Sequence, residues 1–516
     1  MKRCFALGPR LSLKGLAVAT LIAASVSPSI AITADDCTDL CGGGTSPCTI
    51  GAPWDIAPGS AINCSGRDVT VGTNGHLTVT DGSFTLVAHD LTLSGSGSTL
   101  TAIEGPRNAP GAVHVELTGN FLLEGKIRAS GNHGGGRISV DVAGNMSMPN
   151  SGTDGLEAMA TSDYADGGDI TVDVGGTFSI YDPVMVDSGA SGNNAGGSIH
   201  IRAGGDIVTG TNGHIGASGH AGGGGTIEIV SSYGDITLTE YVRAEGLGTG
   251  ADGGTIEMVA GDKLTISDDL SVMGGVNVNG GAANGGSVDL LSGCGGLDIN
   301  APIDATGGQL GGSDLDAGSI EIETRGNLTL ASGITIDNRA LQAGGRGGPI
   351  RIVARDLITL NSASKIDSRG STTGSGQGGD ITLQSCRINV SSATIDTSGA
   401  TGGSVAIYAT KDTPTNGQGA EPLSVGTASV IHAAGATAAA NGSIELSPLF
   451  YQPGQCSNSS TTECTLDTDC TIGCQTGDCL YANPDTGGVN TQFDVLPSRL
   501  GDSSVGACQL TCEDPS

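Results

Sequence analysis

The chain has 516 residues, of which 89 are Gly and 3% are aromatic. Average proteins contain about 7% Gly, and so few aromatic side chains cannot fill the bulky core of an ordinary α/β enzyme. The 22 basic residues against 53 acidic ones give a net charge of −31. We expect no nucleic-acid partner, because phosphate backbones are bound by clustered Lys and Arg.

The first residues have the pattern of an export signal. Two basic residues, Lys2 and Arg3, precede an apolar run over 16–26 and then the small residue Ala31. The apolar run is shorter than the ~20 residues that a membrane-spanning helix needs. We therefore predict a signal peptide over 1–31, a secreted or cell-surface location and no membrane span.

The 14 Cys are concentrated near the two ends of the chain. Export places thiols in an oxidising compartment and no Cys-x-x-Cys pair occurs, so disulfides are favoured over metal sites. We predict a Cys-rich N-terminal cap over 32–65 and a Cys-rich C-terminal segment over 451–516. The two clusters contain Cys37, Cys41, Cys48 and Cys64, and Cys456, Cys464, Cys470, Cys474, Cys479, Cys508 and Cys512.

Between the clusters, a Gly-Gly-x-Ile-x-Ile phrase recurs with a mean spacing of about 30 residues. A β-branched residue stands two positions after its second Gly, and an apolar residue two positions further on. The second Gly residues are Gly111, Gly136, Gly168, Gly197, Gly225, Gly254, Gly286, Gly318, Gly348, Gly379, Gly403 and Gly442.

Each repeat contains three short runs of alternating apolar residues. In one repeat these are 320–322, 328–330 and 334–336, separated by turn residues, which predicts three strands with one face inward. Such a unit is too short to bury its apolar face alone and must stack on its neighbours. We predict an all-β fold: a right-handed parallel β-helix over 66–450 with about one 30-residue repeat per coil. A β-propeller fits less well, because its blades need ~40 residues.

Two interior cysteines, Cys294 and Cys386, occupy the same corner of the repeat, three repeats apart. At ~4.8 Å per coil they would lie about 14 Å apart along the axis, whereas a disulfide needs Cα atoms within roughly 7 Å. We predict that they do not pair with each other and are small buried apolar residues.

The third strand of several repeats ends in an Ile-Asp turn, as in 303–307, 366–370 and 395–399. Together with phrases such as Ala-Gly-Gly-Asp-Ile at 203–207, this resembles the repeats of filamentous haemagglutinin-like bacterial exoproteins. The resemblance covers roughly 66–450 and implies a long right-handed β-helix used in adhesion.

The acidic residues of these turns form a predicted column. An outward carboxylate at this position would stack above the one in the next coil, and an oxygen-rich acidic column suits calcium. The alternative is that each Asp accepts hydrogen bonds from its own turn. The predicted metal-binding residues are Asp304, Asp337, Asp367 and Asp396, and we expect no cofactor other than calcium.

Candidate catalytic motifs are few. The sequence around Asp187 matches an aspartic protease signature, with Asp485 as a possible second carboxylate, but we assign Asp187 to the same turn position as the Asp column. We predict no catalytic residue and a non-catalytic protein, with adhesion or contact with a host, matrix or glycan surface as its role. The alternative is a polysaccharide lyase or hydrolase, because such enzymes also use β-helices.

Overall fold

The computed structural model describes most of the chain between residues 33 and 448. The predicted signal peptide and the predicted C-terminal segment lie outside the described residues. The described ranges are 33–44, 47–105, 110–150, 155–162, 165–188, 194–220, 222–248, 250–271, 283–308, 315–409, 423–426, 428–437 and 440–448.

The fold is a β-solenoid made of three parallel sheets with 14, 14 and 15 strands. Each sheet takes one strand from every coil, and we number the sheets in the order in which the repeat enters them. Sheet 1 contains Ser60–Asn63, Ser83–Ala88, Ala112–Leu117, Arg137–Val142, Asp169–Val174, Ser198–Ala203, Thr226–Ser231, Thr255–Ala260, Ser287–Ser292, Ser319–Thr324, Ile350–Ala354, Asp380–Ser385, Ser404–Ala409 and Ser443–Pro448.

The other two sheets have shorter strands. Sheet 2 contains Cys48–Ile50, Val69–Val71, Leu91–Leu93, Phe121–Leu123, Met146–Met148, Phe178–Ile180, Ile207–Thr209, Ile236–Leu238, Lys263–Ile266, Gly296–Ile299, Leu328–Leu330, Leu357–Leu360, Arg387–Val390 and Leu423–Val425. Sheet 3 contains Thr33–Ala34, Pro53–Ile56, His76–Thr80, Thr99–Ile103, Lys126–Ser130, Leu156–Glu157, Val184–Met185, Ile215–Gly216, Val242–Arg243, Leu270–Ser271, Ile303–Asp304, Thr335–Asp337, Lys365–Asp367, Thr394–Asp396 and Val430–His432. The predicted parallel β-helix is confirmed.

The core is a set of aliphatic rows inside the solenoid. In sheet 1, Val288 pairs with Ile320 and Ile320 with Ile350, each one coil further on. The residues at this position of the repeat are at most 2% exposed from Val113 to Val405. Alternate residues point outward because side chains alternate across a strand. The predicted facing of the repeat is therefore confirmed.

The Gly-Gly phrase is explained by the close approach of neighbouring coils. A Cβ added to Gly318 would clash with the carbonyl oxygen of Gly286 in the preceding coil, and one added to Gly348 would clash with that of Gly318. Backbone packed this closely leaves room only for glycine. The phrase therefore marks the corner at which the chain enters sheet 1.

The two ends of the described solenoid differ. At the N-terminal end, a five-residue helix, α1 (Cys37–Cys41), is capped by the side chain of Asp36. Disulfides join Cys37 to Cys64 and Cys41 to Cys48, so the predicted clamping of the N-terminal cluster is confirmed. The segment 32–65 also contributes the first strands of all three sheets.

The last coil has apolar side chains that reach the surface. Ile444 is 47% exposed and Leu446 is 45% exposed, although their equivalents in earlier coils are buried. No described coil follows the strand that contains them. Their exposure therefore reflects their place at the end of the described stack.

The interior cysteines follow sheet 1 strands, three coils apart, as predicted. The prediction that both are buried is wrong, because Cys294 is exposed and Cys386 is half-buried. Both follow the end of a strand and lie on the turn toward sheet 2, where the alternation of inward and outward side chains no longer applies.

Candidate functional site

The predicted Asp column lies on the outer face of sheet 3. Asp304 pairs in register with Asp337, Asp337 with Asp367, and Asp367 with Asp396. Adjacent members are therefore one strand spacing apart, about 4.8 Å along the axis. The structure brings together all four residues predicted from the sequence.

Each Asp of the column accepts a hydrogen bond from the turn that follows it. The backbone N–H two residues on donates to the Asp Oδ1 in all four coils, at 2.9 Å from Thr306, 3.2 Å from Arg339, 3.3 Å from Arg369 and 3.0 Å from Ser398. This is the hydrogen bond by which Asp stabilises a turn. The interpretation of these residues as turn-forming is confirmed.

The sequence analysis missed the cations of the column. Arg339 donates from Nε to Asp337 Oδ1 at 2.8 Å, and its Nε also lies 3.3 Å from Oδ2 of Asp367 in the next coil. Arg369 repeats this arrangement, with Nε 2.8 Å from Asp367 Oδ1 and 3.6 Å from Asp396 Oδ2. Two successive guanidinium groups thus bridge the column from coil to coil.

The signal for these bridges is present in the sequence. Arg339 and Arg369 each stand two residues after an Asp of the column, in the turn whose backbone N–H bonds to that Asp. A third cation, Lys365, stands two residues before Asp367, and its Nζ donates to the carboxylate of that Asp. Asp367 is 1% exposed, and a buried carboxylate needs such partners.

Asp304 differs from the rest of the column. Within the described residues it forms no ion pair, and burial raises its pKa to about 6. A recess of about 300 Å³ opens beside it, lined by Asp304, Asp337, Arg339 and Lys365 among others. Among the described residues, Asp304 is therefore the member of the column that has no ion pair, although Arg339 and Lys365 also line the recess.

The raised pKa of Asp304 predicts a pH-dependent stability. The folded chain holds this proton more tightly than the unfolded chain, where the ordinary value is 3.8. Its contribution to stability is therefore full below pH 3.8 and is lost as the pH rises to about 6. We expect a loss of at most about 3 kcal/mol in the free energy of unfolding, and Asp304→Asn should remove this pH dependence.

Denaturant melts between pH 4 and 7 measure the difference, with Asp298→Asn on sheet 2 as the control. Equal pH profiles for natural chain and Asp304→Asn would contradict the assignment.

Calcium binding by the Asp column stays a prediction. The described clusters in which three possible metal-ligand atoms lie within 4.8 Å of one another do not include the Asp column. Two of these clusters contain only carboxylates and His. One is Asp35, Asp36 and Asp39, and the other is Asp68, His89 and Asp90. In the column, guanidinium groups already supply positive charge to Asp337, Asp367 and Asp396. If calcium binds, millimolar calcium should raise the melting temperature, and Asp337→Asn or Asp367→Asn should reduce that rise.

A second feature of the same face is an aromatic stack. The rings of His214 and Tyr241, which precede sheet 3 strands in neighbouring coils, lie 4.8 Å apart at an interplanar angle of 19°. Arg243 covers the Tyr241 ring at 4.2 Å and pairs with Asp269 at 2.9 Å. Burial lowers the pKa of His214, so its neutral form is favoured. The sequence analysis did not identify this stack.

The assignment of Asp187 is wrong. The sheet 3 register pairs Met185 with Gly216, Gly216 with Arg243, and so on to Asp304. Met185 therefore occupies the position of the Asp column, and Asp187 lies two residues beyond it, accepting a hydrogen bond from the Ser218 N–H at 2.7 Å. A shift of two residues preserves the outward face, so alternation alone could not detect it. Asp485 lies outside the described residues.

We call the outward groups of this face the sheet 3 stripe. From the strand after His214 to the strand of Asp396 it crosses seven neighbouring strands, a length of about 30 Å at the strand spacing of parallel sheets. It comprises His214, Tyr241, Arg243, Asp269, Asp304, Asp337, Arg339, Lys365, Asp367, Arg369 and Asp396.

Comparisons of the chain with protein-family models, with curated proteins and with solved structures found no match. Among the described residues, no helix is both long and apolar enough to cross a membrane. Function must therefore be argued from the geometry of the solenoid.

Proposed function

We propose that this chain is an exported, non-catalytic surface or extracellular protein that makes adhesive or matrix contacts through the sheet 3 stripe. The observation that carries the proposal is the repetition of charged groups on consecutive coils, in which the partly exposed side chains of Arg339, Lys365 and Arg369 lie over a column of mostly buried carboxylates. A regular array offers the same type of contact many times, which favours multivalent binding to an extended surface. The resemblance of the repeats to filamentous haemagglutinin-like exoproteins points the same way.

The pairing within the stripe supports a binding role over a catalytic one. Asp337, Asp367 and Asp396 accept hydrogen bonds from their own turns and lie against Arg339 or Arg369. Carboxylates held in this way are fixed structural groups. Groups already held by ion pairs and turn hydrogen bonds are poorly placed to exchange a proton with a substrate.

One observation favours the second candidate, a polysaccharide lyase or hydrolase. Asp304, with its pKa raised to about 6, stands beside Asp337 at the edge of the recess. Glycoside hydrolysis uses two carboxyl groups of unequal pKa, one protonated as the acid and one ionised. In this candidate, Asp304 would be the protonated acid and Asp337 the second carboxyl group.

One experiment compares the two candidates. The full chain is tested for binding to glycan arrays and matrix-protein coatings, and in parallel for depolymerisation of pectin-like and alginate-like polymers. We expect binding without depolymerisation, and we expect the double variant Arg339→Gln, Arg369→Gln to weaken binding about tenfold. The matched control is Arg351→Gln, which removes an ion pair with Glu321 on sheet 1. Reproducible depolymerisation that Asp304→Asn abolishes would reverse the order of the candidates.

A further inference from the structure

The recess beside Asp304 lies at a break in a repeating arrangement. In two successive coils, an Arg two residues after the column Asp bridges its own Asp and the Asp of the next coil. Arg339 does so for Asp337 and Asp367, and Arg369 for Asp367 and Asp396. The preceding coil has an Asp at the same position, Asp304, and the same turn. The residue two positions after this Asp is not an Arg, so the series of bridges stops there.

The residue at the equivalent position of that coil is Thr306. The coil-to-coil pairing is known on both sides of Thr306, because Asp304 pairs with Asp337 and Gly307 forms a bridge with Ala340. Thr306 therefore lies level with Arg339, and its N–H makes the same turn hydrogen bond to Asp304. Thr306 is 2% exposed, and its hydroxyl lies close enough to Asp304 to act on the pKa of that carboxyl. A threonine is too short to bridge two carboxylates on neighbouring coils.

The consequence is a recess whose lining has one more acidic group than basic groups, with Asp304, Asp337 and Asp367 against Arg339 and Lys365. The two carboxylates that an Arg at position 306 would bridge, Asp304 and Asp337, both line it. Asp337 can take a second cation in the way that Asp367 does, since Asp367 contacts Arg369 from its own coil and Arg339 from the preceding one. Asp304 is the carboxylate of this lining that forms no ion pair within the described residues, although the charge of Arg339 acts against the rise in its pKa.

We propose that this recess binds a guanidinium group, supplied by an arginine side chain of the contacted protein. A planar guanidinium donates several hydrogen bonds in a fixed fork and already spans this carboxylate spacing twice in the same column. The inference rests on the proposed function and gives it a ligand class: an arginine-bearing matrix or surface protein. Burial raises the pKa of Asp304 to about 6, and a guanidinium bound beside it would lower that pKa.

The test uses the full chain and three small probes at pH 7: N-acetyl-arginine amide, the matched lysine amide, and citrulline amide, which has nearly the same shape without the charge. We expect saturable binding of the arginine amide, with the lysine amide weaker and citrulline amide not bound. Binding is measured by calorimetry, and the pKa of Asp304 by NMR should fall when the arginine amide is bound.

Two variants locate the binding. Asp304→Asn removes the unpaired charge, and Thr306→Arg supplies the guanidinium from the chain itself; each should weaken the arginine amide at least tenfold. Thr306→Arg should also melt at or above the temperature of the natural chain, because its side chain completes the series. Asp298→Asn, which removes a carboxylate paired with Lys263 on sheet 2, should leave binding unchanged.

The contradictory outcomes are distinct. Equal binding of citrulline amide, or full binding by a folded Thr306→Arg variant, would overturn the inference. Calcium binding that needs Asp304, without any binding of arginine amide, would also overturn it and favour the metal site. If arginine amide does not bind but the chain still adheres to a matrix or glycan surface, the inference fails and the proposed function stands. If arginine amide binds at Asp304 and the chain adheres to no surface, the recess is confirmed and the proposed function fails.

Discussion

Replacing Ile320 by Asp should destabilise the solenoid by about 3–5 kcal/mol, the usual cost of leaving a charge uncompensated in a protein interior. Ile320 is 2% exposed and lies between Val288 and Ile350 in the aliphatic row of sheet 1. A carboxylate there would face apolar side chains in both neighbouring coils. Urea melts followed by circular dichroism measure the loss.

The matched control is Thr329→Asp in the same coil. Thr329 lies between the buried residues Leu328 and Leu330 and points outward. In register it adjoins Asp298 of the preceding coil, so the variant also places two like charges side by side. Even with that repulsion we expect a cost of about 1 kcal/mol or less. Equal losses for the two variants would mean that the inward and outward faces are wrongly assigned.

The architecture could be predicted because its cause is local and repeated. Each strand displays its period of two, and each corner has a Gly-Gly that close backbone stacking requires. Because every coil repeats the same pattern, a wrongly assigned strand in one coil is recognised by comparison with the equivalent strands of the others. The stacking of Asp304 on Asp337 followed from that regularity alone.

The chemistry of the face could be predicted only in part, because it depends on individual side chains and not on the repeat. The role of Arg339 required the register between coils and the direction of a long side chain. The stack of His214 on Tyr241 joins residues 27 positions apart, at a position of the repeat where the residue type changes from coil to coil. The position of Asp187 was mistaken because a slip of two residues satisfies the same alternation.

The second large effect concerns the N-terminal disulfides. Removing the Cys37–Cys64 bond, which closes a separation of 27 residues, should cost about 3.5 kcal/mol by the loop-entropy estimate. Removing Cys41–Cys48, with a separation of 7, should cost about 2.4 kcal/mol by the same estimate. The variants are the paired Cys→Ala changes Cys37→Ala with Cys64→Ala, and Cys41→Ala with Cys48→Ala.

The location of the loss is more informative than its size. Each coil of a solenoid contacts only its neighbours, so a weakened end can open without unfolding the middle. The Cys37–Cys64 bond ties α1 to the turn that follows the first strand of sheet 1. Without it, the amides of Ile50 and Ile62 should exchange hydrogen much faster, while that of Ile352, many coils away, keeps its protection. Exchange that accelerates equally at Ile50 and Ile352 would mean that the solenoid unfolds as one cooperative unit and that the disulfide stabilises all of it.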